Sequence, residues 1–274
     1  MATLDLGKIK LVWRGTYNNG TAYTVDDVVE YTDGGILSSY VCVANSTGNA
    51  PSSGGTAHAS WNYMTKGAVS GGFTSKQIFS STGTHTYTKP SGITQLKVYV
   101  TGAGASGGGG GGDGDDYGGG GGAGGTAIKY LDATSINTVT VTIGTGGASV
   151  SGSNAGNGGG TSSFGSHCSA NGGYTARHGN QGQVRGGAGG SGTGGDINMN
   201  GQAGDGGHDG LNTTHSAGGT GGSSYFSGGG TGLASSNNYS SGHSGLMGAG
   251  GGGANYNGGS GSGGDGFCLV EEFK

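Results

Sequence analysis

The chain has 274 residues, of which 75 are glycine, 2 are proline and 3 are cysteine; charged residues make up 9 % and the formal net charge is −4. Phosphate binding needs clustered lysine and arginine, so this balance argues against nucleic acid as a partner. No apolar run reaches about 18 residues, so no membrane-spanning helix and no membrane insertion are expected. Collagen is excluded, because the chain has neither a strict Gly-X-Y repeat nor abundant proline.

Only 13 glycines precede residue 101 and 62 follow, so composition divides the chain near residue 100. The first residues, Met1 to Leu6, carry neither a basic nor an apolar stretch, and no signal peptide is expected. Cys42, Cys168 and Cys268 are odd in number, widely spaced and outside any Cys-x-x-Cys. Free thiols acting as small buried hydrophobes are expected, with no disulfide framework and no zinc site.

Residues 1–67 read as a compact β module. Val25 to Tyr31 and Ser39 to Val43 alternate as two strands, joined through a turn at Asp33-Gly34-Gly35. Asn45 to Gly55, with Pro51, is a loop, and Trp61 closes the unit. Its Trp and Tyr residues can make a core where aliphatic residues are few. Trp13, Tyr23, Asp27, Val29, Tyr31, Tyr40, Cys42, Asn45, Pro51 and Trp61 follow the pattern of the chitin-type carbohydrate-binding modules of chitinases, which this segment resembles. The resemblance implies sugar binding, with Trp13, Tyr40 and Trp61 as candidates. This chain departs from the family after the second strand, where Val43-Ala44-Asn45-Ser46-Thr47 replaces the sugar-stacking aromatics. A spacer or docking unit, as such modules form in phage tail proteins, is the other reading.

Residues 68–75 are expected to be a flexible linker. From residue 76 the β pattern returns. Ile78-Phe79, Thr84 to Thr88, Gln95 to Val100, Thr126 to Leu131, Thr138 to Ile143 and Gly266 to Glu271 read as strands. Leu96, Val98 and Val100 fall on one face, as do Val139, Val141 and Ile143. Such strands can bury a modest two-sheet core. The glycine-rich stretches 102–125 and 144–265 then hang between strands as insertions, and almost no α-helix is expected.

Phe79, Gly83, Tyr87, Pro90, Gly92, Val98, Val100, the glycine run from Gly107 and the closing strand Gly263 to Phe273 resemble the glycine-rich domain of phage tail fibre and tail tip proteins. The later runs are similar to the tail-fibre-tip adhesins of T-even-type phages. That resemblance implies stacked polyglycine helices whose connecting loops choose a receptor. It also implies a virion protein that acts outside the cell. The partners so implied are a host surface glycan or outer-membrane protein, other phage tail proteins and, as a further case, a second copy of the chain.

Ordering a glycine costs roughly 0.5–1 kcal/mol more than ordering an alanine. Backbone hydrogen bonds net about 0.5–1.5 kcal/mol each, so a glycine bundle is stable only when most of its amides are paired. A threefold helix rising about 3.1 Å per residue makes no internal bonds, points its amides outward and allows that pairing between neighbours. The interruptions, rich in Tyr, Phe, His, Asn and Ser, would be turns of the bundle. They contain the candidate receptor-binding residues Tyr174, His178, His208, His215, Tyr225, Phe226, Asn238, Tyr239, His243 and Tyr256. Recognition loops favour such residues, but Asn and Asp also serve simply to turn a chain. Both readings stand.

Chemistry has little support. The match of Gly111 to Asp116 to a calcium nonapeptide has no tandem repeat, and no phosphate-binding loop with its Gly-Lys-Ser/Thr occurs. The seven histidines lack metal or catalytic spacing and no serine sits in a nucleophile elbow. No catalytic residue, metal or cofactor is expected. The resemblances imply three functions to be weighed: a phage adhesin, an inert structural virion protein, or a secreted carbohydrate-binding protein.

Overall fold

The computed structural model describes residues 11–67, 72–111, 117–178, 184–208, 217–232, 239–256 and 258–274. Two compact units divide at Gly71 and Gly72. The protein is all-β, with no α-helix among the described residues.

The first unit contains β1 (Val12–Thr16), β2 (Ala22–Tyr23), β3 (Asp27–Asp33), β4 (Ile36–Cys42), β5 (Ser46–Thr47), β6 (Ser52–Ser53), β7 (Thr56–Ala57) and β8 (Trp61–Thr65). The main sheet runs β1-β3-β4-β8, with β1 parallel to β3 and the other pairs antiparallel. Asp33 pairs with Ile36, which leaves a two-residue turn at Gly34 and Gly35 with φ of 58° and 85°. Both positions need the left-handed backbone that glycine adopts without penalty, and this turn matches the strand twist. Tyr23, Val29, Tyr40, Cys42 and Trp61 form the core, with Tyr17, Tyr31 and Tyr63 packed on it. Most of the rings meet edge-on or tilted, as at Tyr23–Trp61 (5.2 Å) and Tyr40–Tyr63 (4.6 Å), while Tyr17 stacks on Tyr23 at 5.5 Å, so aromatic area does the work that aliphatic residues do elsewhere.

The second unit begins with β9 (Phe73–Phe79), β10 (Gly83–Thr88), β11 (Gln95–Thr101), β12 (Thr126–Asp132) and β13 (Thr138–Ile143). It continues with β14 (Ser162–Phe164), β15 (Cys168–Ala170), β16 (Gly192–Thr193) and β17 (Ile197–Met199), then β18 (Tyr239–Ser240), β19 (Asn255–Tyr256) and β20 (Phe267–Phe273). Two five-stranded sheets, β10-β13-β14-β15-β16 and β17-β12-β11-β20-β9, face each other. Leu96, Val98, Val100, Val139, Val141, Ile143, Phe164, Cys268 and Val270 fill the space between them. The structure revises two boundaries. The strand at Phe73–Phe79 begins inside the expected linker 68–75. The stretch 144–265 is not all bundle, because β14 to β17 leave it to complete the sheets.

The bundle is visible in the pattern of backbone bonds. Gly102, Ala105 and Gly108 donate to the carbonyls of Gly125, Gly122 and Gly119. Ala103, Ser106 and Gly109 donate to Gly160, Asn157 and Asn154, while Gly104 and Gly107 donate to Gly264 and Gly261. Every third residue thus addresses the same neighbour, which is the repeat of a threefold helix and not of a strand. No residue of 102–109 has a positive φ, so the hand is left. Helix 117–125 is the axis. Its amides donate in the same threefold order to 248–254, 171–177 and 202–205. Its carbonyls accept from 102–108, 187–190 and 219–222. One helix therefore has six bonded neighbours, a hexagonal packing.

That packing explains the glycine. A Cβ on Gly104 would lie 1.9 Å from the Ala249 carbonyl oxygen, on Gly118 1.9 Å from that of Gly108, and on Gly120 2.0 Å from that of Thr220. Backbone occupies the space a side chain would need. Apart from Tyr117 and Val184 at helix ends, the buried exceptions in the helices are small, as at Ala103, Ala105, Ser106, Ala123 and Ala249.

Candidate functional site

The helices leave the sandwich directly from its strands, since Thr101 ends β11 and Thr126 begins β12. Residues 102 to 109 rise about 22 Å at the threefold pitch. The far end therefore stands clear of the sheets, and register shows what collects there. Gly118 bridges to His178, Tyr117 to Asn255 and His208 to Ala217. Tyr239 pairs with Tyr256 through β18 and β19. Of the residues singled out from the sequence, His178, His208, Tyr239 and Tyr256 thus have their backbones at this far end. His215 and Asn238 lie outside the described residues, as do Asp113 to Asp116 of the nonapeptide match.

The others are elsewhere. Tyr225 and Phe226 lie at the near end, against the sandwich. Phe226 packs 4.8 Å from Phe267 and 6.0 Å from Tyr99, and Tyr225 stacks at 6.2 Å on Tyr99. Phe226 is anchored into the junction of bundle and sheet, which corrects its expected place in an exposed recognition turn; Tyr225 remains half exposed. His243 sits on the flank, exposed, with its Nδ1 2.9 Å from Thr231 Oγ1. Tyr174 is 58 % exposed on an outer helix. In the first unit, Tyr40 and Trp61 are buried in the core, with the Tyr40 hydroxyl 2.7 Å from Ser52 Oγ and Trp61 Nε1 donating to the Asn49 carbonyl. Neither ring can stack on a sugar; Trp13, 59 % exposed, can.

His178 adds one unusual atom. Its Nδ1 is buried and has no hydrogen-bond partner among the described residues, a state that is rare in folded proteins. Among the described residues no group of three His, Cys, Asp or Glu is arranged to hold a metal ion.

The three thiols are free and buried. Burial pushes the Cys168 thiol up to about 11 from its ordinary value near 9, and Cys268 and the Tyr87 phenol rise for the same first reason. The Glu272 carboxylate raises Tyr87 further. Thiols so placed are poor nucleophiles. The linkage has a definite sign. A folded value above the unfolded one means that the unfolded chain gives up its protons first. The stability held by these groups is complete below pH ~9 and is lost as pH climbs through the folded value of Cys168, about 11. Urea midpoints for the protein at pH 7.5 and pH 10.5 are expected to differ, with the alkaline one lower. An equal midpoint would contradict the burial.

The fold and the far-end cluster together define a class: a β-sandwich carrying a hexagonal bundle of threefold glycine helices. Residues 79–271 match the glycine-rich domain family, more than two thirds of the chain, and the protein belongs to that family. No curated protein matches the chain.

Sequence reasoning passed over two residues that the structure brings together, Arg177 and Arg185. They lie on adjacent outer helices, with the Arg177 amide donating to the Arg185 carbonyl at 3.3 Å. The available signal was the three-residue spacing of Asn171, Tyr174 and Arg177, which is the repeat of the helix itself.

Proposed function

We propose that the protein is a component of a phage tail fibre or tail tip, and that it acts as an adhesin on a host surface glycan or outer-membrane protein. The observation that carries this reading is the division of labour in the second unit. Inside the bundle, positions such as Gly104, Gly118 and Gly120 are closed to any side chain by neighbouring carbonyls. Variation in side chains is therefore confined to the connecting segments and the outer rows. A rigid support with polar and aromatic side chains in its connecting segments and outer rows is what recognition of a cell surface requires. The first unit serves in this reading as a spacer or docking module. Its core has consumed Tyr40 and Trp61, two of the three rings that were candidates for sugar binding.

The test is adsorption. Purified protein is incubated with host cells and scored for binding and for competition with phage. Replacing residues 209–216 and 233–238 with Gly-Ser sequence of equal length is expected to reduce cell binding at least tenfold while the melting temperature stays within a few degrees. Unchanged adsorption by a folded variant would make these segments inert and favour a purely structural virion role. Binding that is lost on removing residues 1–67, but kept in the segment-replacement variant, would instead favour the carbohydrate-binding reading.

A further inference from the structure

The second unit presents exposed side chains on its flank as well as at its far end. Helix 184–190 is an outer helix. It donates inward from Gly187 and Gly190 to Gly120 and Ala123. On one side it accepts from Tyr174 and Arg177, and on the other from Gly201 and Gly204. Three outer helices therefore lie side by side, and the threefold repeat gives each a row of side chains facing solvent. The rows are Asn171, Tyr174 and Arg177; Arg185 and Ala188; Gln202, Asp205 and His208, all of them exposed. Residues in a row stand about 9 Å apart, three steps of 3.1 Å. A groove lined by Val184, Arg185, Gly204, Gly206 and His208 runs between the second and third rows.

Charge singles out this face. Arg177 and Arg185 are the only lysine or arginine residues in 102–125 and 144–265. Eight residues apart in sequence, they are placed next to each other by the antiparallel pairing of their helices. Neither forms an ion pair among the described residues, whose two ion pairs are Arg14–Asp27 and Lys129–Asp196. Two like charges carried on bonded neighbouring rows repel each other, and among the described residues neither guanidinium has a hydrogen-bond acceptor, an arrangement that an oxyanion relieves. Arginine's planar fork fits carboxylate and phosphate alike. One turn along the first row stands the exposed ring of Tyr174, an apolar platform with a polar tip.

We propose that this face binds an acidic saccharide, with Tyr174 stacking on one sugar ring and Arg177 and Arg185 holding the carboxylate or phosphate of the next. His208 lines the groove, Gln202 and Asp205 stand in the same row, and the three supply hydrogen bonds to hydroxyl groups. The site deepens the adhesin reading and rests on it for the host surface as the source of the sugar.

The probes are polygalacturonate and its methyl ester, and a phosphorylated lipopolysaccharide core oligosaccharide before and after dephosphorylation, each titrated against the full chain. Binding of at least one acidic form, at least tenfold tighter than its neutralised counterpart, is expected. The polygalacturonate arm reports a carboxylate and the core arm a phosphate. The double variant Arg177→Gln/Arg185→Gln should lose that tenfold preference, and Tyr174→Ala should weaken the acidic and neutral forms together. All three side chains are exposed, so melting temperatures should be unchanged. Wild-type binding must also weaken severalfold between 50 and 500 mM salt, a result that needs no variant. Absence of binding to every acidic probe, or equal binding by the double variant, overturns the site. Loss of the acidic-sugar site with cell adsorption intact leaves the adhesin reading standing. Acidic-sugar binding without adsorption removes the adhesin reading and keeps the site.

Discussion

One added methyl group at position 120 is expected to disrupt the bundle. Gly120 lies in the axial helix, and its Cβ would stand 2.0 Å from the Thr220 oxygen, 2.3 Å from the Thr220 carbon and 2.7 Å from the Gly221 nitrogen. A side chain in the way could rotate, but these atoms are backbone, and they are fixed by bonds of their own. Gly120 donates to Asp205 and accepts from Gly187, while Gly219 and Gly221 of the obstructing helix bond to Gly118 and Gly230. Moving one helix aside therefore breaks a column of bonds and not a single contact. Overpacking of ordinary cores costs about 1–3 kcal/mol, and here the several bonds of the column, at about 1 kcal/mol each, are lost as well. Gly120→Ala should lower the melting temperature by at least ~10 °C or prevent folding. Gly228→Ala is the control, because its Cβ meets nothing within 4 Å and its φ is not positive. That variant should be neutral or stabilised by a few tenths of a kcal/mol through the unfolded state. Equal melting temperatures for the two variants would mean that glycine in the bundle serves flexibility and not close approach.

The contrast between those two glycines also shows where the sequence is legible. Both stand in runs of the same composition, and only the bonded neighbour separates them. The strands at Gln95–Thr101 and Thr138–Ile143 are readable because alternation in side-chain character is a local property. The bundle is readable because low charge and scarce proline leave dense glycine no other ordered state. The short strands Ser162–Phe164 and Cys168–Ala170 are not readable, since three residues are too few to carry a period. Phe226 was open to misreading for a related reason. An aromatic residue between Ser and Gly runs looks like a displayed ring, and its partners Tyr99 and Phe267 are far away in sequence. Trp61 and Tyr40 illustrate the competition inside the first unit, where the core needed the rings that a sugar site would have used. Arg177 and Arg185 are each unremarkable surface residues in the sequence. Their adjacency depends on antiparallel pairing, which no local pattern encodes.

At the end of the sandwich away from the bundle, Glu272→Ala is expected to be as damaging as the change at Gly120. Leu96 pairs with Glu272 and Thr101 with Phe267, so the carboxylate lies five residues along β20 from the bundle junction. It is only 1 % exposed. Its Oε1 accepts from Gln77 Nε2 at 2.8 Å and from the Tyr87 hydroxyl at 3.0 Å, and its Oε2 accepts from Ser75 Oγ. One carboxylate thus ties β9, β10 and β20, strands from both sheets. Truncation strands three donors, one of them on the fully buried Tyr87, and the cost of breaking such a hub is about 3–5 kcal/mol. Glu272→Gln should cost only about 1 kcal/mol. The amide oxygen can serve Gln77 and Tyr87, and the amide NH2 can donate to Ser75 Oγ. Because backbone pairing carries on past the ends of β11, β12, β13 and β20, with Gly102 donating to Gly125 and Gly266 to Gly144, the alanine variant should lower a single transition. Amides of the axial helix 117–125 should then lose hydrogen-exchange protection in parallel with those of β11. Alanine and glutamine variants of equal stability would show that the hub contributes nothing. Bundle protection that outlasts β11 protection would show that the glycine helices hold together without the sandwich.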